Sequence, residues 1–218
     1  MSENHTDETT GTLVVGTFLT LDGVMQAPGG PDEDRDGGFE HGGWSVNYWD
    51  EQMGEIIDGQ FAEVDALLLG RKTYEIFAAH WPHVDAEDDP MATRMNSMPK
   101  YVASRTLDAV EWNNSTLLSD DVAEAVEDLK KERRDVIMTQ GSHDLIQTLL
   151  AHDLVDEFWV WIFPLVVGDG KRLFGGGTIP AALELTNAET SSTGVQMLRY
   201  ERAGEIEYGS FALDDMTE

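Results

Sequence analysis

Between residues 66 and 74 the chain reads Ala-Leu-Leu-Leu-Gly-Arg-Lys-Thr-Tyr, an apolar run that stops abruptly at a glycine, two cations and a hydroxyl. A run this short and this apolar, bounded by glycine, suits a strand buried on both faces, which requires a sheet covered by helices on each side. A helix starting near Thr73 would aim its first unpaired amides at whatever lies beyond the strand end. Gly70 lets the backbone come close and Arg71 offers a planar fork, so the stretch reads as a grip for phosphate.

The remaining elements follow from periodicity. Residues 12–21 are rich in β-branched and apolar side chains and predict a first, central strand. Residues 22–44 turn to Gly, Pro and acids, with Val24, Met25, Phe39 and Trp44 embedded, which predicts a long loop packed over something. Met53, Ile56, Ile57 and Phe61 fall at helical spacing, and residues 91–98 predict a short helix closed by Pro99. Short strands are expected at 100–103, 116–118 and 136–139. A helix capped by Ser119, with Asp120 and Asp121 in its first turn, ends in Lys130, Lys131, Arg133 and Arg134. Leu145, Leu149 and Leu150 mark another helix, and Asp153 sits where a left-handed ending residue belongs. Residues 155–167 predict a long strand broken at Pro164, in which Trp159 and Trp161 share a face, and 183–192 with 195–201 an antiparallel pair. The sum is an α/β domain whose sheet is mostly parallel with an antiparallel edge. We expect a disordered lead over residues 1–11, one domain over 12–203 and an acidic tail over 204–218.

Charge bears on partners. The 42 acids against 14 Lys and Arg give −28, spread along the whole chain of 218 residues, which disfavours nucleic acid and anionic membranes. Self-repulsion of this size is relieved at molar salt, where the screening length falls to about 3 Å, so a salt-adapted protein is expected. With no cysteine there is no thiol chemistry. The polar start over residues 1–10 and the lack of a membrane-length apolar run place the chain in the cytoplasm.

Three expected strand ends carry chemistry suited to phosphate: Gly70-Arg71-Lys72-Thr73, Ser104-Arg105 and Gly141-Ser142. In parallel α/β sheets ligands gather there, and the recurrence points to a dinucleotide. Other motifs fail. Gly168-x-Gly170 lacks the third small residue of a Rossmann turn, Gly170-Lys171-Arg172 is no P-loop, and no nucleophile elbow is present. His80 and His83 flank Pro82 and read as loop histidines, so no metal site is expected.

Taken together, these motifs resemble the dihydrofolate-reductase-like superfamily, specifically the C-terminal reductase domain of riboflavin-biosynthesis deaminase-reductases and their stand-alone relatives. The resemblance rests on Leu21-Asp22-Gly23, the Gly70 motif, Met98-Pro99-Lys100, Ser104-Arg105-Thr106-Leu107, Gly141-Ser142 with Leu145, Leu154-Val155-Asp156-Glu157, and residues 164–174. It implies a three-layer fold, a mixed sheet of about eight strands, NADPH across the strand ends and often a homodimer. By the resemblance, Gly70, Arg71, Lys72 and Thr73 hold cofactor phosphates, Ser104 and Arg105 the 2′-phosphate, Gly141, Ser142 and Leu145 the pyrophosphate, and Val167, Gly168 and Gly170 lie near the nicotinamide. Asp22 would contact the substrate or deliver a proton, with Gly23, Gln26 and Trp44 around the substrate. The family commonly has Gly-Gly where this chain has Gln140-Gly141. The carboxylate of true dihydrofolate reductases has candidates in Asp50, Glu51, Glu55 and Asp58, fixed by no motif. The implied activity is NADPH-dependent hydride transfer to a small heterocyclic or ribosylamino-type substrate, as in 5-amino-6-(5-phosphoribosylamino)uracil reductase. A reductase of folates or other small molecules, and a non-catalytic nucleotide-binding protein, remain as alternatives.

Overall fold

The computed structural model describes residues 10–85, 89–118 and 121–211. Eight strands form one sheet: β1 (Thr12–Thr20), β2 (Ala66–Gly70), β3 (Lys100–Ala103), β4 (Ser115–Leu117), β5 (Val136–Thr139), β6 (Glu157–Phe163), β7 (Leu183–Thr190) and β8 (Gln196–Arg202). Their order is β4-β3-β2-β5-β1-β6-β8-β7. All pairs from β4 to β6 are parallel, and β8 joins β6 and β7 antiparallel. The expected mixed sheet with an antiparallel edge is therefore present.

Alternation along β1 divides the core. Leu13, Val15 and Leu19 face one side with Leu68, Phe158 and Val160, under α4 (Val122–Glu132) and α5 (His143–Ala151). Val14 faces the other with Leu67, Leu69 and Trp159, under α1 (Glu51–Ala62), α2 (Arg71–His80) and α3 (Pro90–Ser97). Trp161 joins Met53 and Phe163 on that second side, so the two tryptophans share a face as their spacing requires. Helices on both faces are what a fully apolar strand such as β2 needs, and all five of its residues are buried.

Several boundaries move. Gly70 is the N-cap of α2, which starts at Arg71 rather than Thr73. The long strand expected over 155–167 is hydrogen-bonded only from Glu157 to Phe163, since Pro164 has no N–H to continue the ladder. Ser119 and Asp120 lie outside the described residues, and the cap of α4 is Asp121, whose carboxylate accepts from the Glu124 amide at 3.2 Å. Gly11, expected in the lead, is buried and donates to the Lys130 carbonyl at 2.7 Å. A side chain there would meet the Arg133 carbonyl oxygen at 2.5 Å. Asp153 has φ +59, the left-handed ending foreseen for it.

Lys100 is fully buried at the foot of β3. Its ammonium donates to the Met95 and Met98 carbonyls at 2.8 and 2.7 Å and lies 4.2 Å from the Trp112 ring, closing the end of α3. Burial pushes its pKa down to about 8. Those carbonyls and the indole face favour the charged form, so Lys100 stays an ammonium at neutral pH. Among the described residues no helix is long and apolar enough to cross a membrane.

Candidate functional site

β5 lies between β1 and β2 although it follows both in the chain. The crossovers to its two sides therefore cover opposite faces, and a crevice opens above the strand carboxyl ends. A cavity of about 910 Å³ occupies it. Its walls come from the middle of β1 (Gly16, Thr17, Phe18), the β2–α2 junction, the end of β3, the β5–α5 turn, part of the loop after β1, and Lys171.

At the centre two turns touch. The Gly70 amide donates to the Gly141 carbonyl at 3.0 Å, and the Thr73 amide to Ser142 Oγ at 3.3 Å. A Cβ on Gly70 would lie 2.7 Å from Ser142 Oγ, and one on Gly141 2.7 Å from Thr73 Oγ1. Any larger residue would push the turns apart. The Gly141–Ser142 peptide is cis. Neither Gly70 nor Ser142 supplies a side-chain cap to the helix it starts, so two helix N-termini reach the cleft without a carboxylate cap of their own. At the end of β3, Ser104 Oγ accepts from the Thr106 and Leu107 amides at 3.1 and 3.0 Å, and Arg105 projects exposed. Among the described residues Arg105 is the cleft cation that makes no ion pair. Leu145, on α5, is buried and lines the cleft. Glycine-lined turns, two helix N-termini and an unpaired guanidinium fit the anionic half of a dinucleotide.

Another part of the cleft lining carries charge of both signs. Asp34 and Asp36 lie between two lysines: Lys72 reaches Asp34 at 3.1 Å and Asp36 at 2.5 Å, and Lys171 reaches the same carboxylates at 2.6 and 2.9 Å. Hydrogen bonds from Lys72 and then Lys171 hold Asp36 down at about 2, and Asp36 foremost holds Lys72 above its ordinary value. Burial would raise Asp34, but Lys171 and Lys72 outweigh it and its pKa falls. Gln26, 4% exposed, ties the cluster down: its Nε2 donates to the Asp34 and Asp36 carbonyls at 3.1 and 3.0 Å, and its Oε1 accepts from the Lys171 amide at 3.0 Å. Beside them Glu33 Oε2 accepts from the Gly29 and Gly30 amides at 2.6 and 3.1 Å. Desolvation by burial raises the Glu33 pKa from its ordinary value, and among the described residues no hydrogen bond reaches Oε1.

Of the residues expected at a site, Gly70, Arg71, Lys72, Thr73, Ser104, Arg105, Gly141, Ser142, Leu145 and Gln26 come together on the cleft wall. Asp22, Gly23, Trp44, Val167, Gly168 and Gly170 are not among the lining residues. Asp22 is a brace: it accepts from Thr20 Oγ1 at 2.6 Å, the Gly168 amide at 2.9 Å and the Val167 amide at 3.3 Å, and Arg172 reaches it at 3.2 Å. The Thr20 bond, followed by those amides, holds its pKa at about 2, so the proton-delivery role expected for it has no proton to deliver near neutrality. Trp44 donates to the Gln26 carbonyl at 2.8 Å and packs edge-on to Phe163. Gly170 approaches Val24 and Phe39 so closely that a Cβ would meet them at 2.8 and 2.9 Å. Arg71, expected to be free for phosphate, pairs with Glu75 at 3.0 Å. None of the α1 acids Asp50, Glu51, Glu55 or Asp58 lines the cleft; Asp50 caps α1 through the Met53 amide and accepts from Ser192. Glu33, Asp34, Asp36 and Lys171 escaped the sequence reading. The alternation Asp34-x-Asp36, in a chain with only five lysines, was the signal available.

Comparison with known proteins gives a consistent result. The family model for the RibD C-terminal domain matches residues 11–197. The uncharacterized protein YyaP of Bacillus subtilis (strain 168) is 29% identical over 193 residues, covering 86% of this chain and 93% of that one. A Thermotoga maritima diaminohydroxyphosphoribosylaminopyrimidine deaminase/5-amino-6-(5-phosphoribosylamino)uracil reductase superposes with TM-score 0.57 at 15% identity, over 89% of this chain and 57% of that one. Dihydrofolate reductase from Enterococcus faecalis complexed with NADP(H) does so with TM-score 0.56 at 13% identity, over 89% and 98%. At these identities the structures establish the dihydrofolate-reductase-like fold.

Proposed function

The chain belongs to the RibD C-terminal domain family, and on that premise we propose that it is an NADPH-dependent reductase of a small heterocyclic or ribosylamino-type molecule. The observation that carries the reading is the cradle where Gly70 and Thr73 meet Gly141 and Ser142 at two helix N-termini, with Arg105, unpaired among the described residues, also on the cleft wall.

In this reading the cofactor, when bound, supplies the hydride. Gly70, Thr73, Gly141 and Ser142 admit its phosphates to the backbone amides, and Ser104 with Arg105 takes the 2′-phosphate. Arg71 is held by Glu75 and is a weaker contributor. Reduction of a carbon–nitrogen or carbonyl group also consumes one proton. Glu33 is the acid we assign, because it lines the cleft, its pKa is raised and, among the described residues, its Oε1 makes no hydrogen bond. Gln26 and the Asp34–Asp36–lysine cluster hold the loop after β1 against the cleft and limit water entry. The protein is taken to act in the cytoplasm as a homodimer, and its charge of −28 argues against polyanionic partners.

The test is a titration of the full chain with NADPH at molar KCl, followed by tryptophan fluorescence. Saturable quenching is expected, and its absence at every salt concentration that keeps the chain folded would refute the assignment.

A further inference from the structure

Lys72 is the second residue of α2, next to Thr73, whose amide meets Ser142 in the cradle. Its ammonium is taken up within the chain: Asp36 is the nearer partner at 2.5 Å, and Asp34 lies at 3.1 Å. Lys171 divides its contacts the other way, with Asp34 at 2.6 Å and Asp36 at 2.9 Å. Each lysine thus has its own closest acid. All four residues line the same cavity as Gly70, Thr73, Gly141 and Ser142. A phosphate seated at the start of α2 and the Asp36 carboxylate therefore call on one ammonium.

The two acids differ in what holds them. The Asp34 side chain is 17% exposed and that of Asp36 56%. Gln26 donates to the backbone carbonyls of both, so the loop keeps its place whether or not the Asp36 carboxylate stays bonded, and Lys171 retains Asp34. Asp36 offers Lys72 a single exposed ion pair. A phosphate there would also meet the positive end of α2, which Gly70 leaves without a side-chain cap. The anion with more donors takes the ammonium, and Asp36, already largely in water, gives it up at little cost.

Resting on the proposed reductase reading, we infer that Asp36 is an internal competitor of the cofactor: its carboxylate occupies Lys72, a phosphate of the dinucleotide takes that ammonium over, and Asp36 thereby sets the affinity of the cleft for the cofactor.

The full chain is titrated calorimetrically with NADPH at one fixed salt concentration as wild type, Asp36→Asn, Lys72→Met and the double variant. Asp36→Asn frees Lys72 without removing it and is expected to tighten NADPH by about two- to fivefold, the range of an exposed ion pair. Coupling between the two positions is the decisive readout. Competition requires Lys72, so the gain should be lost in the Lys72→Met background. A carboxylate acting only through its field would give the same gain in both backgrounds, which overturns the inference, as does an unchanged or weaker affinity of Asp36→Asn. Asp36→Ala takes the place of the Asn variant in the cycle if the latter does not fold. The two readings fail separately. Saturable NADPH binding without the coupling removes the competition alone, whereas no binding by any of the four folded proteins removes the cofactor assignment and the competition with it.

Discussion

Replacing Arg105 by Ala probes cofactor choice with little structural disturbance. The side chain is exposed and makes no hydrogen bond or ion pair among the described residues, so nothing in the fold depends on it and the thermal midpoint is expected to stay within error of wild type. A charged hydrogen bond between guanidinium and phosphate contributes about 1.5–3 kcal/mol, and exposure to solvent places this one in the lower half of that range. At about 1.4 kcal/mol per tenfold, Arg105→Ala should weaken NADPH by about 10- to 40-fold. NADH lacks the 2′-phosphate and should bind both proteins alike. Arg71→Ala is the internal comparison: its partner Glu75 is 3.0 Å away, so removing the guanidinium also removes an existing ion pair, and the loss should be a few-fold at most. Fluorescence titrations of the three proteins with both nucleotides, at one salt concentration because screening scales every value, give the comparison directly. An unchanged NADPH affinity in Arg105→Ala, or an equal loss for NADH, would refute the reasoning.

Four further outcomes are expected. Glu33→Gln should lower kcat by about 10²–10⁴; because the acid must be protonated, wild-type activity should decline as pH rises through the raised Glu33 pKa, and a variant with an unaltered profile would remove Glu33 from the mechanism. Asp22 is held at about 2 against an ordinary 3.8, so its contribution is complete above about pH 4 and is lost as pH falls towards 2; Asp22→Asn should cost about 1–2 kcal/mol at pH 7 and less at pH 2, read from urea unfolding. Lys100→Met strips the Met95 and Met98 carbonyls of their donor and should cost about 3–5 kcal/mol in the same assay, whereas a loss under about 1 kcal/mol would show those carbonyls find other partners. Lowering KCl from molar to millimolar should reduce stability, and indifference to salt would dismiss the salt-adapted reading.

What could be seen in the sequence was local. The grip at Gly70 was legible because an apolar run, a glycine and a helix start are contiguous, and the structure places Gly70, Arg71, Lys72 and Thr73 on the cleft wall. The same holds for Ser104-Arg105 and Gly141-Ser142, each a strand end followed by a turn. The loop after β1 was legible as a loop that packs, through Val24 and Phe39, but not in its chemistry.

Asp22 shows the limit. In sequence it is an acid in a turn beside an expected site, suited to substrate contact. In the fold its carboxylate meets amides 145 and 146 residues away, which turns it into a brace between β1 and the segment after β6. Lys72 shows it again: a cation beside a strand end suggests phosphate, yet its partners Asp34 and Asp36 lie 38 and 36 residues earlier. Lys171 reaches the same acids from 137 and 135 residues later.

The sequence by itself determined the layers, the parallel sheet with its antiparallel edge and the strand ends where an anion can be held, because hydrophobic period and turn chemistry act over a few neighbouring residues. Which charges stay free was decided only by the tertiary structure. Inserting β5 between β1 and β2 opens the crevice, and folding brings the acid loop after β1 to Lys72, which follows β2, and to Lys171, which follows β6. Coulomb energy depends on distance in space, so only folding could pair Lys72 with Asp34 and Asp36 and leave Arg105 without an ion pair among the described residues.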